Sequence, residues 1–124
     1  MLDTLTLRRS PYLSRLVVRD GARLEIVPVH QIDWIEAAGD FACLHVGSRS
    51  HVLSDSLRGL EARLDPGRFL RIHRSRIVNV DRVRELHKLF HGEYLLVLAD
   101  GARITSGRCY TKRVKAFFSN GAPD

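Results

Sequence analysis

The chain has 124 residues and a formal net charge of +6, and hydrophobic residues make up 44% of it. This length and balance indicate one globular domain and exclude a disordered tail, because such a chain buries about 65% of the surface that its unfolded form exposes. No apolar run approaches the ~20 residues that span a bilayer, and no cleavable leader is visible at the N-terminus. We therefore expect a cytoplasmic protein that does not enter a membrane.

The first part of the chain predicts strands joined by tight turns. Two β-rich runs, Tyr12–Val18 and Ala22–Val27, flank Asp20-Gly21, a pair that favours the type I′ turn of a hairpin. Ile32–Ala37 predicts a further strand, and Ala38-Gly39-Asp40 leaves that strand as a short polar loop.

The next hairpin carries three side chains of types that bind metals: Cys43, His45 and His51. Its strands, Phe41–Val46 and Arg49–Leu53, are joined by Gly47-Ser48, a two-residue turn that places Val46 opposite Arg49. In that register His51 points to the opposite face from Cys43 and His45, since cross-strand partners share a face and sequence neighbours do not. We expect no metal site here. Cys43 and Cys109 lack close-spaced partners and are predicted to be reduced structural thiols.

Residues 54–64 predict a short amphipathic helix, because the apolar period changes there from two to three or four. Its apolar stripe consists of Leu57, Leu60 and Leu64. Such a stripe is typical of a helix that packs on a sheet. Either Ser54 or Ser56 can cap the start of the helix, and Pro66-Gly67 ends it.

The segment Arg68–Val83 is the one around which the rest of the chain is organised. Its apolar residues are predicted core anchors: Phe69, Leu70, Ile72, Ile77, Val78 and Val80. Arg71, Arg74 and Arg76 recur among these anchors too often for an ordinary solvated surface. The pattern indicates a rigid scaffold that presents a cationic loop.

The last third of the chain predicts a three-stranded meander. Val83–Phe90 and Glu93–Leu98 flank His91-Gly92, and Asp100-Gly101 leads the chain back through Ala102–Thr105. Many short strands and only two short helices predict a mainly β protein in which sheets pack on one another. The pattern argues against a helix-turn-helix, which needs two consecutive helices.

Tyr110–Phe118 predicts a C-terminal helix with one apolar and one cationic face. The apolar face consists of Tyr110, Val114, Phe117 and Phe118. The opposite face carries Lys112, Arg113 and Lys115, and the helix begins near Arg108.

The positive charge is segregated along the chain. Residues 68–88 hold seven Arg or Lys and two acids, and residues 103–115 hold five and none. These two windows carry +10, so the rest of the chain carries −4 within the total of +6. Such segregation favours a polyanionic partner, because each cation placed on a phosphate releases condensed counterions. A basic face that is simply solvated remains an alternative.

Enzyme signatures are weak in this sequence. It has no Gly-x-Ser-x-Gly elbow, no phosphate-cradling glycine loop and no His-Glu-x-x-His motif. His73 and Ser75 could form a relay for acyl or phosphoryl transfer, but no third, orienting group is identifiable. A histidine packed or hydrogen-bonded under the loop is the simpler interpretation. We predict no catalytic residue, no cofactor and no bound metal.

Three motifs in this order and spacing resemble the LytTR family of bacterial DNA-binding domains. They are Ile35-Glu-Ala37 with Asp40-Phe41, Phe69-x-x-x-His73-Arg-Ser75-x-Ile77-Val-Asn79, and Ser106-x-Arg108-x-Tyr110 before a basic helix. The resemblance covers 12–118, nearly the whole chain. It implies an elongated arrangement of about 8–10 short strands in antiparallel sheets, with one mid-chain and one C-terminal short helix. It also implies that loops enter successive major grooves of a bent duplex that carries repeated sites.

Carried onto this chain, the resemblance implies contact loops at Ala38–Phe41, His73–Arg76 and Ser106–Lys112. The candidate DNA-binding residues are Gly39, Asp40, Arg71, His73, Arg74, Ser75, Arg76, Ser106, Arg108, Lys112 and Arg113. Arg74 and Arg108 are the candidates for guanine, since guanidinium can bind N7 and O6 together.

Other candidates suit the phosphates, which fix register without specifying sequence: Arg71, Arg76, Lys112 and Arg113. Asp40 would orient its loop or accept a hydrogen bond from a cytosine amine. An alternative left open by the sequence is that some of the arginines pair with Glu36 or Glu85 instead.

The expected organisation is a linker or tail at 1–11, the DNA-binding domain at 12–118 and a frayed tail at 119–124. The family is usually the output half of a response regulator, yet no phospho-acceptor domain precedes residue 12. We therefore expect either an excised fragment or a free-standing transcriptional regulator. The expected partners are duplex DNA with repeated sites, a second copy on that DNA, and a phospho-acceptor or other sensory domain. The alternative function is a basic module that docks an acidic partner domain or a membrane surface.

Overall fold

The structure is a computed structural model, and it describes residues 10–119. The tails predicted at 1–11 and 119–124 lie outside the described residues except for residues 10, 11 and 119. No helix within the described range is long and apolar enough to cross a bilayer.

The described residues form ten short strands, two short α-helices and three turns of 3₁₀-helix. The strands are β1 Arg15–Asp20, β2 Arg23–Pro28, β3 Trp34–Ala38, β4 Phe41–Val46, β5 Arg49–Leu53, β6 Phe69–His73, β7 Arg76–Asn79, β8 Val83–Lys88, β9 Tyr94–Leu98 and β10 Arg103–Thr105. The helices are α1 Leu57–Arg63 and α2 Thr111–Phe117, and the 3₁₀ turns are Val29–Gln31, Val80–Arg82 and Arg108–Tyr110. The predicted mainly β class, with a mid-chain and a C-terminal helix, is confirmed.

The strands form three antiparallel sheets. A five-stranded sheet has the order β5-β4-β3-β7-β6, a three-stranded sheet has the order β10-β9-β8, and β1 pairs with β2 alone. The three-stranded sheet is the meander that the sequence predicts. In the five-stranded sheet β7 pairs with both β3 and β6, so the organising segment supplies an interior strand, β7, and an edge strand, β6.

The β1–β2 turn differs from its prediction. Asp20 pairs with Arg23, so the two loop residues are Gly21 and Ala22 rather than Asp20 and Gly21. Gly21 has φ +64, whereas no non-glycine residue in the described range has a positive φ. A type I′ turn needs positive φ at both central residues, and a type II′ turn needs it only at the first. The turn is therefore of the II′ kind, and the predicted type I′ turn was wrong.

The β4–β5 register is the predicted one. Val46 lies opposite Arg49, Leu44 opposite His51, and His45 opposite Ser50. His51 is buried on the core side with Leu44, while Cys43 and His45 share the other face. Among residues 10–119 no group of three His, Cys, Asp or Glu side chains is placed to hold a metal.

Two hydrophobic cores lie on opposite faces of the five-stranded sheet. The first lies among β1, β2, the sheet and α1, and the second lies among the sheet, the three-stranded sheet and α2. Successive residues of a strand point to opposite faces. In β7, Ile77 accordingly enters the first core and Val78 the second, at 1% and 0% exposure. Burial on both faces explains why the organising segment is so rich in apolar residues.

Both helices pack by their apolar stripes. In α1, Leu57, Leu60 and Leu64 are buried, as predicted. In α2, Val114 is buried and Phe118 packs against the second core, but Phe117 is 36% exposed. Phe117 was therefore wrongly assigned to the buried face.

The structure also decides which serine caps α1. The Ser56 side chain accepts a hydrogen bond from the Gly59 backbone N–H at 3.0 Å. This bond satisfies one of the backbone donors that the first turn of a helix leaves without a partner.

We expect Ser56→Ala to lower the free energy of unfolding by about 1 kcal/mol, because the substitution removes this cap. Ser54→Ala is the matched control, since Ser54 is an exposed serine two residues earlier that makes no such bond. Urea unfolding of both variants checks the assignment. Equal losses in the two variants would contradict it.

Candidate nucleic-acid interface

The β3–β4 turn and the β6–β7 turn lie side by side at one end of the five-stranded sheet. Glu36 of β3 pairs with Arg76 of β7, and the Ala37 backbone N–H donates to the Ser75 carbonyl at 2.9 Å. Because β3 continues from there into Gly39 and Asp40, that turn projects next to Arg74-Ser75. Gly39 takes φ +64 as the first of the two loop residues, and both of them are exposed.

The β6–β7 turn consists of Arg74 and Ser75, since His73 pairs with Arg76. It contains no glycine, and the Arg71 side chain braces it instead. The Arg71 guanidinium donates to the His73 carbonyl at 3.0 Å and also to the Arg74 carbonyl. Its third contact is Glu61 of α1 at 2.9 Å, and its side chain is only 14% exposed. Arg71, predicted to bind phosphate, is therefore occupied in holding the turn.

His73 supplies a second brace for the same turn. The Ser75 backbone N–H donates to His73 Nδ1 at 3.1 Å, and Ser75 Oγ lies 2.9 Å from that atom. Nδ1 must be unprotonated to accept, so the proton of the neutral ring resides on Nε2. Burial, followed by the positive charges of Arg76, Arg74 and Arg71, lowers the pKa of His73 below its usual 6.5.

The contact between Ser75 and His73 has the geometry of a nucleophile and its base, but a relay also needs a group that orients the base. No carboxylate within the described range contacts the His73 ring. The pair is accounted for by the turn that it stabilises.

The loop after β10 joins the β6–β7 hairpin through hydrogen bonds to two backbone carbonyls. The Gly107 N–H donates to the Ile72 carbonyl at 2.8 Å, and Arg76 Nη1 donates to the Thr105 carbonyl at 2.8 Å. A Cβ added at Gly107 would lie 3.1 Å from His73 Cδ2, so the loop closely approaches the imidazole ring. The two cationic loops therefore form one structural unit.

Ser106 lies beneath this loop rather than on its surface. It is 3% exposed, and its Oγ accepts from the Tyr94 backbone N–H at 2.9 Å. Its own N–H donates to the Tyr94 carbonyl at 2.8 Å. Ser106 thus ties the loop to β9, and no surface of its side chain is presented to a partner.

Arg74 and Arg108 are the exposed cations of this unit. No side-chain hydrogen bond or ion pair of Arg74 is found among residues 10–119. Arg108 is 78% exposed, and its Nε lies 3.4 Å from Glu93 Oε2, a surface pair that contributes little. Both arginines line one open depression of about 300 Å³ together with His73, Gly107, Cys109 and Tyr110. The two side chains are therefore neighbours on one side of the molecule.

Lys112 and Arg113 extend the cationic surface along α2. Lys112 is exposed. Arg113 lies 3.3 Å from Glu61 and 5.1 Å from the centre of the Tyr110 ring. Glu61 therefore holds two arginines, Arg71 and Arg113, from separate elements.

The acids that pair with the loop arginines are not those suspected from the sequence. Glu36 pairs with His45 at 3.1 Å, and Glu85 pairs with His87 at 2.7 Å. The partners are Glu61 and Glu93 instead. The sequence carried no local signal for either, because each lies ten or more residues from its arginine. Asp40 has no side-chain hydrogen bond among the described residues.

These features define a β-rich domain that gathers exposed arginines on braced loops at one end, as a domain that binds a polyanion requires. The family model described as "LytTr DNA-binding domain" matches residues 22–119, and the chain belongs to that family. The resemblance inferred from the sequence motifs is confirmed. The family is one of DNA-binding domains rather than enzymes.

Similar proteins include the transcriptional regulatory protein LytR of Staphylococcus aureus (strain MW2), which is 33% identical over 101 residues. The sensory transduction protein LytT of Bacillus subtilis (strain 168) is 29% identical over 101 residues. These matches cover 82% of this chain but only 41% and 42% of the relatives, so the chain spans less than half of their length. A solved LytTr DNA-binding domain from Bacillus cereus has a TM-score of 0.80 at 22% identity, covering 86% of this chain and 98% of that one, and shows the same fold.

We expect Arg71→Ala to lower the free energy of unfolding by about 2 kcal/mol, because two carbonyls and Glu61 lose a charged donor. Arg58→Ala is the matched control, since Arg58 is an exposed arginine on α1. Urea unfolding without DNA is the measurement. If Arg71→Ala is as stable as the control, the guanidinium does not brace the turn.

We expect acid to destabilise the protein partly through His73. Because folding lowers the pKa of His73, this contribution is present above pH 6.5 and is lost as pH falls through the folded-state value. His73→Asn keeps an acceptor near the position of Nδ1 but does not titrate. Its free energy of unfolding should therefore fall less than that of the wild type between about pH 7.5 and about pH 5.5. Identical pH dependence in the two proteins would contradict this role.

Proposed function

We propose that this domain binds double-stranded DNA sequence-specifically by placing its end loops in the major groove, and that it serves as the output domain of a transcriptional regulator. The observation that carries the proposal is the pair Arg74 and Arg108, exposed side by side on the β6–β7 turn and on the loop that hydrogen-bonds to β6 through Gly107. Membership in a family of DNA-binding domains supports the choice of DNA as the polyanion.

The dimensions of the loops suit the groove. Neighbouring strands lie about 4.8 Å apart, and the major groove is about 12 Å wide. A two-residue turn such as Arg74-Ser75, together with the Gly107-Arg108 loop beside it, can therefore enter one groove. A guanidinium that is held at its base by a braced turn loses little freedom when it binds guanine N7 and O6.

The candidate residues divide into contacts and supports. Arg74 and Arg108 read bases, while Lys112 and Arg113 on α2 meet phosphates. Arg113, whose side chain is about half exposed, would leave its ion pair with Glu61 and bind a phosphate oxygen instead. Arg71 and Ser106 support the loops from below, and Arg76 links β7 to β10 through the Thr105 carbonyl.

Gly39 and Asp40 belong to the same array, beside Ser75. A carboxylate at this position would repel a phosphate but can accept a hydrogen bond from the exocyclic amine of cytosine. We therefore place Asp40 against the edge of a base. The Nε2–H of His73 donates to an acceptor on the floor of the same groove.

The proposed partners follow from the relatives. Those proteins are more than twice as long as the segment they share with this chain, which leaves room for a phospho-acceptor domain. The end loops of one copy cover only a short DNA site. Repeated sites and a second copy on the DNA would supply the specificity that one copy lacks.

We expect Arg74→Ala and Arg108→Ala each to cost about 1 to 3 kcal/mol on a specific site, because each substitution removes a bidentate contact to a guanine. The site is first obtained by enriching bound sequences from randomised duplexes, and affinities are then measured on that site and on random duplex. Equal losses on both would mean that the arginine touches only the backbone.

Lys112→Ala provides the matched phosphate variant for that experiment. It should weaken binding to all sequences similarly and reduce the slope of log affinity against log salt by about one unit. If the wild type shows no preference among duplexes of equal length, the surface is instead one that docks an acidic partner. The proposal would then fail.

A further inference from the structure

The loop between β8 and β9 emerges at the same end of the molecule as the cationic loops. Lys88, the last residue of β8, lies opposite Tyr94, the first residue of β9. The Tyr94 carbonyl in turn accepts from the Ser106 N–H, and the Tyr94 N–H donates to Ser106 Oγ, directly before Gly107 and Arg108. The loop at residues 89–93 therefore extends from the same end of the three-stranded sheet as the Arg108 loop.

This loop is closed by its own hydrogen bonds and lies against the Arg108 loop. The Leu89 N–H donates to the Glu93 carbonyl at 2.7 Å, and the Gly92 N–H donates to the Leu89 carbonyl at 3.0 Å. Gly92 takes φ +96 and closes the turn. The ion pair between Glu93 and Arg108 links the loop to the adjacent cationic loop.

Phe90 at the tip of this loop is almost entirely in solvent. It is 96% exposed, whereas the other large exposed hydrophobic side chains are 36% to 58% exposed. Its intramolecular aromatic contact is an edge-on approach to the His91 ring at 5.1 Å. Burying such a side chain is worth about 1.5 to 3 kcal/mol, so the free protein leaves that stabilisation unused.

A single exposed hydrophobic residue is ordinary on a protein surface. Three features distinguish Phe90: it lies on a braced loop, that loop adjoins the cationic end, and Lys88 stands at its base. Because an apolar tip next to a cation matches the alternation of sugar and phosphate along a nucleic-acid strand, this position fits DNA better than an apolar protein surface.

We propose that Phe90 is a further DNA contact, packing against deoxyribose at the rim of the groove that Arg108 enters, while Lys88 meets an adjacent phosphate. This inference rests on the proposed function. Two strand spacings, or about 10 Å, separate β8 from β10, the strand that leads to Arg108. Since the major groove is about 12 Å wide, a side chain displaced by that distance from the groove centre reaches its sugar–phosphate wall rather than another base edge.

The test compares Phe90→Ala with the wild type on a duplex that carries one site and on random duplex, across a range of salt concentrations. We expect roughly fivefold weaker binding to both, because sugars are present in every sequence and part of the apolar burial is lost. The salt slope should not change, because no counterion release is removed. Lys88→Ala should instead reduce that slope by about one unit.

Leu24→Ala is the matched control, since it removes an apolar side chain that is 52% exposed on β2. It should leave affinity unchanged. Unaltered binding by Phe90→Ala, in an experiment where Arg108→Ala binds more weakly, would overturn the Phe90 contact and leave the proposed function intact. A loss on the specific site alone would also overturn it, since that pattern indicates a contact with a base. Failure of the wild type to prefer any duplex would instead count against the proposed function.

Discussion

The arrangement of the end loops depends on one constraint, the burial of β7 on both of its faces. Ile77 faces the core that contains α1, and Val78 faces the core that contains α2 and the three-stranded sheet. A strand held from both sides cannot slip by one residue without exchanging its two buried faces. Its first residue, Arg76, is therefore fixed, and with it the turn at Arg74-Ser75. Because the same strand separates the two cores, the loops that leave either core are fixed relative to one another.

A cluster of arginines at one end is costly in the free protein, since like charges repel. Two devices reduce that cost. Glu61 takes up Arg71 and Arg113, and the guanidinium of Arg71 is directed inward to backbone carbonyls. The remaining repulsion falls on Arg74 and Arg108, which are exposed to solvent and screened by salt. An anionic ligand would relieve it. The arrangement thus separates arginines that build the surface from arginines that are available to a partner.

The sequence predicted the elements well because each has its own local signal. Alternation located the strands, the leucine spacing located α1, and the Gly47-Ser48 turn determined the β4–β5 register. The sequence did not predict the contacts of a side chain when its partner lies far away along the chain. Nothing near Arg71 reveals that Glu61 occupies its guanidinium, and nothing near Ser106 reveals that its hydroxyl accepts from the Tyr94 backbone N–H. Phe90 was assigned to the end of a strand because it is apolar, whereas β8 ends two residues earlier. The three predicted contact loops do lie at one end, but which of their side chains touch DNA is a matter of tertiary exposure.

The spacing of His73 and Ser75 has a structural cause that also explains the chemistry of the turn. A side-chain acceptor that reaches the backbone N–H two residues later closes a tight turn without glycine, as Asn and Asp do elsewhere. Histidine can play this part only when Nδ1 is unprotonated, and burial, followed by the charges of the three arginines around it, lowers the pKa of His73 and favours that form. A neutral ring also adds no further charge to the cluster. Histidine is thus suited to the cationic turn because burial and the neighbouring arginines together favour its neutral form. The braced turn holds Arg74 outward.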